Sequence, residues 1–436
     1  MQRAHAEDRR FLVAALSVFL GALGQLAVTV TIARTFGASV ETDLYFLAVI
    51  YAFAILGVFQ GMAYWAIVSS FRDVGEREVR GASEAISAHF TVGMVVAGIA
   101  TAFFAALAPY LAPAIAWSFT STSQDLGAQL ALELTPLIFV GALLWIAFGI
   151  YLAYRSFLWV LLVPVAIAVV MILSVLGLTP VLHVHALAAA ILGGTALPLL
   201  FLVDLLIRRG VQLKWKLELY PTLRRTLNLG LPLIPVLVVL YLVEMTDRML
   251  ASGFFPGMVS SIVYAERFWQ LPLALAALAL IAWARPSWSP HAWEERREEV
   301  SRQLLGILRV VLVLSVIVVI VMIIFARPIV TFLLSGGAFG GLPTIWTTQA
   351  LIFYLPGVPG ALVCLSLLPF FVAAEQTRIL AILSGVFFVL KLFLDVLLIQ
   401  EIGFAGIPLA TSLSFTILAI AMWRLYGRLA PPERTA

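Results

Sequence analysis

The chain alternates long apolar blocks with short links, and its cations are confined almost entirely to every second link. Of 27 Lys and Arg residues, all but Arg34, Arg248, Arg267, Arg327 and Lys391 fall in or beside alternate links, among them the stretches Arg72 to Arg80, Arg208 to Arg225 and Arg285 to Arg302. The links between these, such as Ser118 to Gly127 and Thr179 to His183, carry no Lys or Arg. Inserted chains keep Lys and Arg on the cytoplasmic side, so the alternation predicts a many-pass membrane protein and its orientation. Only 11% of residues are charged, 63% are hydrophobic and mean hydropathy is +1.07. Soluble domains average about 25% charged residues, so that class is excluded.

A membrane-spanning helix needs about 20 apolar residues. By that rule the chain holds twelve spans, roughly 11–33, 44–70, 88–112, 129–153, 157–177, 185–207, 229–250, 260–284, 304–325, 346–372, 379–399 and 404–426. All are expected to be helices, because backbone in hydrocarbon must satisfy its own hydrogen bonds and these blocks are too long for barrel strands. The first block lacks a small-residue cleavage site and reads as an uncleaved span. An even count puts both termini in the cytoplasm, with Arg3, Arg9 and Arg10 at one end and Arg424, Arg428 and Arg434 at the other. The longest polar stretch, RRGVQLKWKLELYPTLRRTLN, divides the spans six and six. Residues 1–208 are therefore expected to form an N-lobe, 209–228 a cytoplasmic linker and 229–436 a C-lobe. The linker alternates Leu, Trp215 and Tyr220 with cations, which suits a segment lying on the inner membrane surface as well as an ordinary basic loop. HAWEERREEVSRQ, from His291, is spaced for a short exposed helix entering the ninth span.

The net charge of +4 does not point to nucleic acid, since most cations sit at span ends, where anionic inner-leaflet lipid accounts for them. Cys364 is the single cysteine, which excludes an intrachain disulfide and a thiolate metal cluster. His183 and His185 have no third ligand nearby, so no metal or cofactor is expected. Outer links are too short to build an extramembrane catalytic site, and the chain does not read as an enzyme.

A charge at bilayer centre costs about 2.5 to 3.5 kcal/mol, so those inside spans need a partner, water or a task. Lys391 falls mid-span and Asp395 one turn further on, the spacing of an ion pair; such a pair either glues helices or serves transport. Glu266 and Arg267 are neighbours on a helix, pointing about 100° apart, and so face different partners. With Glu244, Asp247 and Arg248 of the preceding span they are expected to line a polar cleft, where the planar fork of arginine suits phosphate. Pro232, Pro235, Pro272, Pro356 and Pro359 predict bent or broken helices, either static kinks or the borders of a cavity. The two halves also open alike, Arg34 before Gly-Ala-Ser and Arg248 before Ala-Ser-Gly, each followed by a span with an outer acid, Asp43 and Glu266.

The stretches IARTFGASVETDLYFLAV, DRMLASGFFPGMVSSIVYAERFWQLPLALAALAL and LLSGGAF, in that order, resemble the lipid II flippase (MurJ/MviN) family of the multidrug/oligosaccharidyl-lipid/polysaccharide (MOP) exporter superfamily. The resemblance implies an all-α polytopic membrane protein of the bacterial plasma membrane, with two six-helix lobes around a central cavity, moving a polyprenyl-pyrophosphate-linked glycan from inner to outer leaflet. It carries over Arg34, Asp43, Arg248, Glu266 and Arg267 as substrate-facing residues, with arginines meeting pyrophosphate and acids organising them or forming gates. Asp247, Asp395 and Thr411 resemble a cation site in which Lys391 stands at a ligand position, so its ammonium would replace sodium and sodium would not be required. The family pattern has fourteen spans against the twelve legible here, and Ala22, Val28 and Leu56 stand where further arginines are expected. Fewer cations imply weaker hold on lipid II, and an exopolysaccharide or O-antigen repeat unit becomes an alternative cargo. Two other readings compete: an ion-coupled multidrug exporter of the same superfamily, and a non-transporting scaffold that docks polysaccharide or cell-wall synthases.

Overall fold

The computed structural model describes residues 2–71, 82–115, 117–154, 157–283, 297–373 and 376–429. The basic link holding Arg72, Arg77 and Arg80, and the segment from His291 to Arg296 expected to begin a short helix, lie outside the described residues.

The helices are α1 (Gln2–Phe36), α2 (Val40–Met62), α3 (Val68–Ser70), α4 (Ser83–Ile115), α5 (Ser121–Leu134), α6 (Pro136–Ala153), α7 (Phe157–Leu182), α8 (His185–Arg208) and α9 (Pro221–Gly230). They continue as α10 (Ile234–Ser252), α11 (Met258–Trp283), α12 (Arg297–Ile324), α13 (Ala326–Leu334), α14 (Gly341–Tyr354), α15 (Val358–Ala373), α16 (Thr377–Ile402) and α17 (Gly406–Leu429). Among the described residues, strand pairing is limited to one isolated bridge between Gly336 and Phe339. Among the described residues, ten ranges are long and apolar enough to cross a bilayer; one of them, Arg378–Arg428, takes in nearly all of α16 and α17. With α11, itself 26 residues long, this is consistent with twelve spans.

The solvent facing these helices is legible on α12. Val313, Ile317, Ile320 and Ile324 are each more than half exposed along one stripe, while Leu308, Val311, Ser315 and Val319 are buried along another. The polar serine points inward and the branched aliphatics outward, an arrangement that water would penalise and acyl chains favour.

By backbone contacts the chain forms two compact units, Ala27–Ser260 and Met1–Leu26 with Ser261–Ala436, whose boundaries fall inside α1 and α11. Within the first unit, α10 lies antiparallel along α2. Gly57 and Gly61 form a Gly-x-x-x-Gly stripe that admits close approach: a Cβ at Gly57 would sit 1.8 Å from the Tyr241 ring and one at Gly61 2.4 Å from Leu237. Beyond Met62, α2 widens into a π-helical turn, Ala63–Ile67, a bulge that repositions the side chains around it.

The linker is neither a free tether nor wholly irregular. Residues 211–220 have no regular secondary structure; every second amide from Gln212 to Lys216 bonds α4, and after a tight turn in which Tyr220 N bonds Glu218 O the chain enters α9 at Pro221, a residue suited to a first helical turn. Extended chain advances about 6.6 Å every two residues and a helix about 6 Å every four. A hydroxyl row at four-residue spacing on α4 therefore matches every second linker residue. Ser83 Oγ accepts from Gln212 N, Ser87 Oγ accepts from Lys214 N at 3.1 Å and donates to Gln212 O at 3.0 Å, and Thr91 Oγ1 accepts from Lys216 N at 3.0 Å. Glu84 closes the row by binding Lys216 Nζ and the Tyr220 hydroxyl, and its hydrogen bonds raise the pKa of both partners. His89, three-hundredths exposed, bonds Ala85 O and Thr226 Oγ1 and so fixes α9 as well.

Prolines act as read, with one exception. Pro232 opens a 3-10 turn, Leu231–Leu233, between α9 and α10, and Pro356 lies in another, Leu355–Gly357, between α14 and α15. Pro272, expected to interrupt its span, is carried inside a continuous α11.

Candidate functional site

Among the described residues, the buried and half-buried charges singled out from the sequence fall into four small constellations, two in each contact unit. In the unit Ala27–Ser260 the first is built by the start of α2. Ser39 caps this helix, bonding Thr42 N while its own N–H bonds Thr42 Oγ1, and the first turn holds Glu41 and Asp43, where acids favour the helix dipole. Asp43 is fully buried and points away from its own helix end. Its Oδ2 accepts from Gly257 N at 2.6 Å, and its Oδ1 accepts from Ser260 N at 2.7 Å and Ser260 Oγ at 2.5 Å. Those donors are the turn before α11 and its first turn, whose amides have no intrahelical acceptor. Gly257 has φ +92°, and a Cβ there would approach Ala38 O to 2.6 Å, so the turn that presents the amide requires glycine.

The second constellation lies two turns lower on α10. Arg248, 1% exposed, donates from Nη1 to Phe46 O on α2 at 3.0 Å and from Nη2 to Glu244 Oε2 at 3.4 Å. Asp247 beside it is equally buried. Arg248 and Asp43, both expected to face the substrate, bond protein atoms here: Arg248 joins α2 to α10, and Asp43 joins α2 to the α10–α11 turn. Arg34, in the last turn of α1, is exposed.

In the unit that contains Ser261–Ala436, Glu266 and Arg267 diverge as adjacent helical residues must. Glu266 is buried and accepts from the Tyr354 hydroxyl of α14 at 3.5 Å, beneath the Trp269–Tyr354 ring contact. Arg267 is half-buried, and its Nη1 donates to Gln270 Oε1 at 2.9 Å on its own helix.

The last constellation is the pair on α16. Lys391 Nζ and Asp395 Oδ2 are 2.5 Å apart, and both side chains are fully buried. Asp395 Oδ1 is also buried and has no hydrogen-bond partner among the described residues. Thr411 of α17, 5% exposed, bonds Ile407 O. The ion pair anticipated from the four-residue spacing is thus present. Among the described residues, no group of three His, Cys, Asp or Glu is placed to hold a metal ion.

Sequence reasoning passed over Ser83, Ser87, Thr91 and His89, which hold the linker. The available signal was the run of hydroxyls at every fourth residue opening α4, beside Glu84. It pointed nowhere without its partner, more than a hundred residues away.

Long apolar helices that enclose charged side chains define a polytopic membrane protein, and solved structures share its fold. The chain superposes on an inward-facing multidrug resistance MATE family transporter of the MOP superfamily with a TM-score of 0.75 at 15% identity, covering 96% of this chain and 97% of that one. It superposes on a lipid II flippase MurJ in an inward closed conformation with a TM-score of 0.76 at 22% identity, covering 94% and 87%. The particular family is given by sequence. The model for lipid II flippase MurJ matches residues 32–432, and the chain belongs to that family. Its curated relatives include the lipid II flippase MurJ of Burkholderia cenocepacia, 27% identical over 402 residues, 88% of this chain and 77% of that protein. A probable lipid II flippase MurJ of Rhizobium meliloti is 24% identical over 48% of this chain and 39% of its own length. The protein is therefore a multi-pass protein of the bacterial inner membrane.

Proposed function

We propose that this protein carries a polyprenyl-pyrophosphate-linked glycan from the inner to the outer leaflet by alternating access, with both termini and residues 209–228 in the cytoplasm and six spans on either side of that linker. The observation that carries the reading is membership of the lipid II flippase family over nearly the whole chain. Binding is the chemistry; no bond is made. Desolvating a pyrophosphate is costly, and arginine offsets the cost with paired, charge-assisted hydrogen bonds. Arg267 and Arg34 retain exposed surface for that task, whereas Arg248 is enclosed by α2 and α10. We assign the pyrophosphate to Arg267 and Arg34, gating of the outer side to Asp43, and support of Tyr354 to Glu266.

In this reading the Lys391 ammonium is a tethered cation that neutralises Asp395 throughout the cycle. Transport then needs no sodium. The membrane itself and the lipid-linked glycan are the partners; docking of polysaccharide or cell-wall synthases belongs to the scaffold alternative.

Leaflet exchange measured in proteoliposomes with labelled lipid II and with a simpler polyprenyl-pyrophosphate sugar tests the proposal. Exchange of either above protein-free liposomes is the expected result, and the ratio of the two identifies the cargo. Absence of exchange for both, with drug efflux intact, would replace the reading with that of a multidrug exporter.

A further inference from the structure

The clasp between α4 and the linker has a consequence for what the linker displays. Hydrogen bonding of Gln212, Lys214 and Lys216 through their backbones fixes this stretch against α4. Trp215 and Leu217, in and beside the stretch pinned from Gln212 to Lys216, are 63% and 62% exposed, and Leu219, in the tight turn where Tyr220 N bonds Glu218 O, is 68% exposed. Among the described residues these three large apolar side chains have little protein cover. Immediately after them α9 buries Leu223, Thr226 and Gly230 and turns Arg224, Arg225, Asn228 and Leu229 outward. Between the row and the helix is an open groove of about 370 Å³ lined by Leu219, Pro221, Arg224, Arg225, Asn228 and Leu229.

The groove has two guanidinium-bearing residues at one wall and leucines at the other. From Arg208 to Gly230 the chain carries six cations, Arg208, Arg209, Lys214, Lys216, Arg224 and Arg225, against one acid, Glu218. The segment also joins two apolar spans, α8 and α10, so it lies at a bilayer surface on whichever side it faces. Apolar side chains pointing into the acyl boundary with arginines at headgroup level are the chemistry of an anionic phospholipid contact.

We propose that the linker and α9 form a docking surface for an anionic glycerophospholipid, with the phosphodiester in the Arg224–Arg225 groove and the acyl chains along Trp215, Leu217 and Leu219. The bound lipid would hold this edge of the protein at a fixed depth while other helices move. The assignment is independent of the cargo and of the flippase reading.

Brominated acyl chains quench tryptophan on contact, which gives a direct probe. The full-length protein is reconstituted in phosphatidylcholine with a small fraction of brominated phosphatidylglycerol, or of brominated phosphatidylcholine as control. Wild type and Trp215→Phe are compared, so that the difference isolates Trp215. The expected result is a Trp215 quenching component that appears at far lower brominated phosphatidylglycerol than brominated phosphatidylcholine. In Arg224→Gln/Arg225→Gln, whose changes lie on exposed positions, that preference should weaken about 30-fold, the equivalent of about 2 kcal/mol for two interfacial cations. A Trp215 component that is missing, or equal for the two lipids, or unchanged in the double variant overturns the proposal. So does displacement of the preference by a polyprenyl phosphate at equal concentration, which would make the groove an entry site for cargo.

Discussion

Replacing Asp43 with Asn isolates the latch between α2 and α11 with almost no change of volume. The carboxylate accepts three hydrogen bonds, two from the backbone amides of Gly257 and Ser260 and one from the Ser260 hydroxyl, at a fully buried position. An amide has one oxygen. Whichever way Asn turns, its NH₂ group meets a backbone N–H, leaving at least one buried donor unsatisfied at about 1–3 kcal/mol. Loss of a charged acceptor at a helix N-terminus adds roughly 0.3–1 kcal/mol. A total near 2–3 kcal/mol corresponds to roughly 30- to 150-fold more frequent opening of the α10–α11 turn, because local openings are governed by local free energies. Hydrogen–deuterium exchange in nanodiscs reads this directly: peptides covering 253–262 should exchange faster by that factor in Asp43→Asn, while peptides within α6 stay unchanged. Exchange at 253–262 within twofold of wild type would refute the latch, and a uniform rise across the protein would show general destabilisation instead.

Gly57→Ala should lower the midpoint of thermal unfolding in detergent, since its Cβ enters the Tyr241 ring and overpacking costs about 1–3 kcal/mol; Gly57→Ala with Tyr241→Leu should recover much of the loss, and no recovery would place the strain elsewhere. Lys391→Met strands Asp395 as a buried charge and should destabilise by about 3–5 kcal/mol, whereas Lys391→Met/Asp395→Leu should return close to wild-type stability. Equal stability of single and double variants would contradict a dry pair. Leaflet exchange should be unchanged when sodium is replaced by potassium, and a sodium requirement would remove Lys391 from the role of tethered cation.

Much of the architecture could be read from the chain because bilayer thickness imposes a length and the positive-inside bias imposes a phase. The apolar blocks became helices, and Pro232 and Pro356 became breaks. Pro272 did not, since one lost backbone bond is tolerated where the flanking turns continue the helix. The Lys391–Asp395 pair was legible because its partners are four residues apart on one helix. The cross-helix partners of Asp43 and Arg248 were not: Gly257, Ser260 and Phe46 lie more than two hundred residues away and bond largely through backbone atoms, which no side-chain pattern reveals. The linker clasp escaped for the same reason, since Ser83, Ser87 and Thr91 bond main-chain groups of Gln212 to Lys216. A charge that looks destined for a ligand is often consumed by a distant backbone, and only packing separates the two fates.

Arg267, on α11, is an intramembrane cation of intermediate burial. The decisive measurement is leaflet exchange of a labelled polyprenyl-pyrophosphate sugar by wild type and Arg267→Ala, reconstituted to equal amounts of folded protein in the same liposomes. Exchange by wild type, reduced at least tenfold in the variant, is what a pyrophosphate held by this guanidinium predicts; equal exchange by both would contradict it.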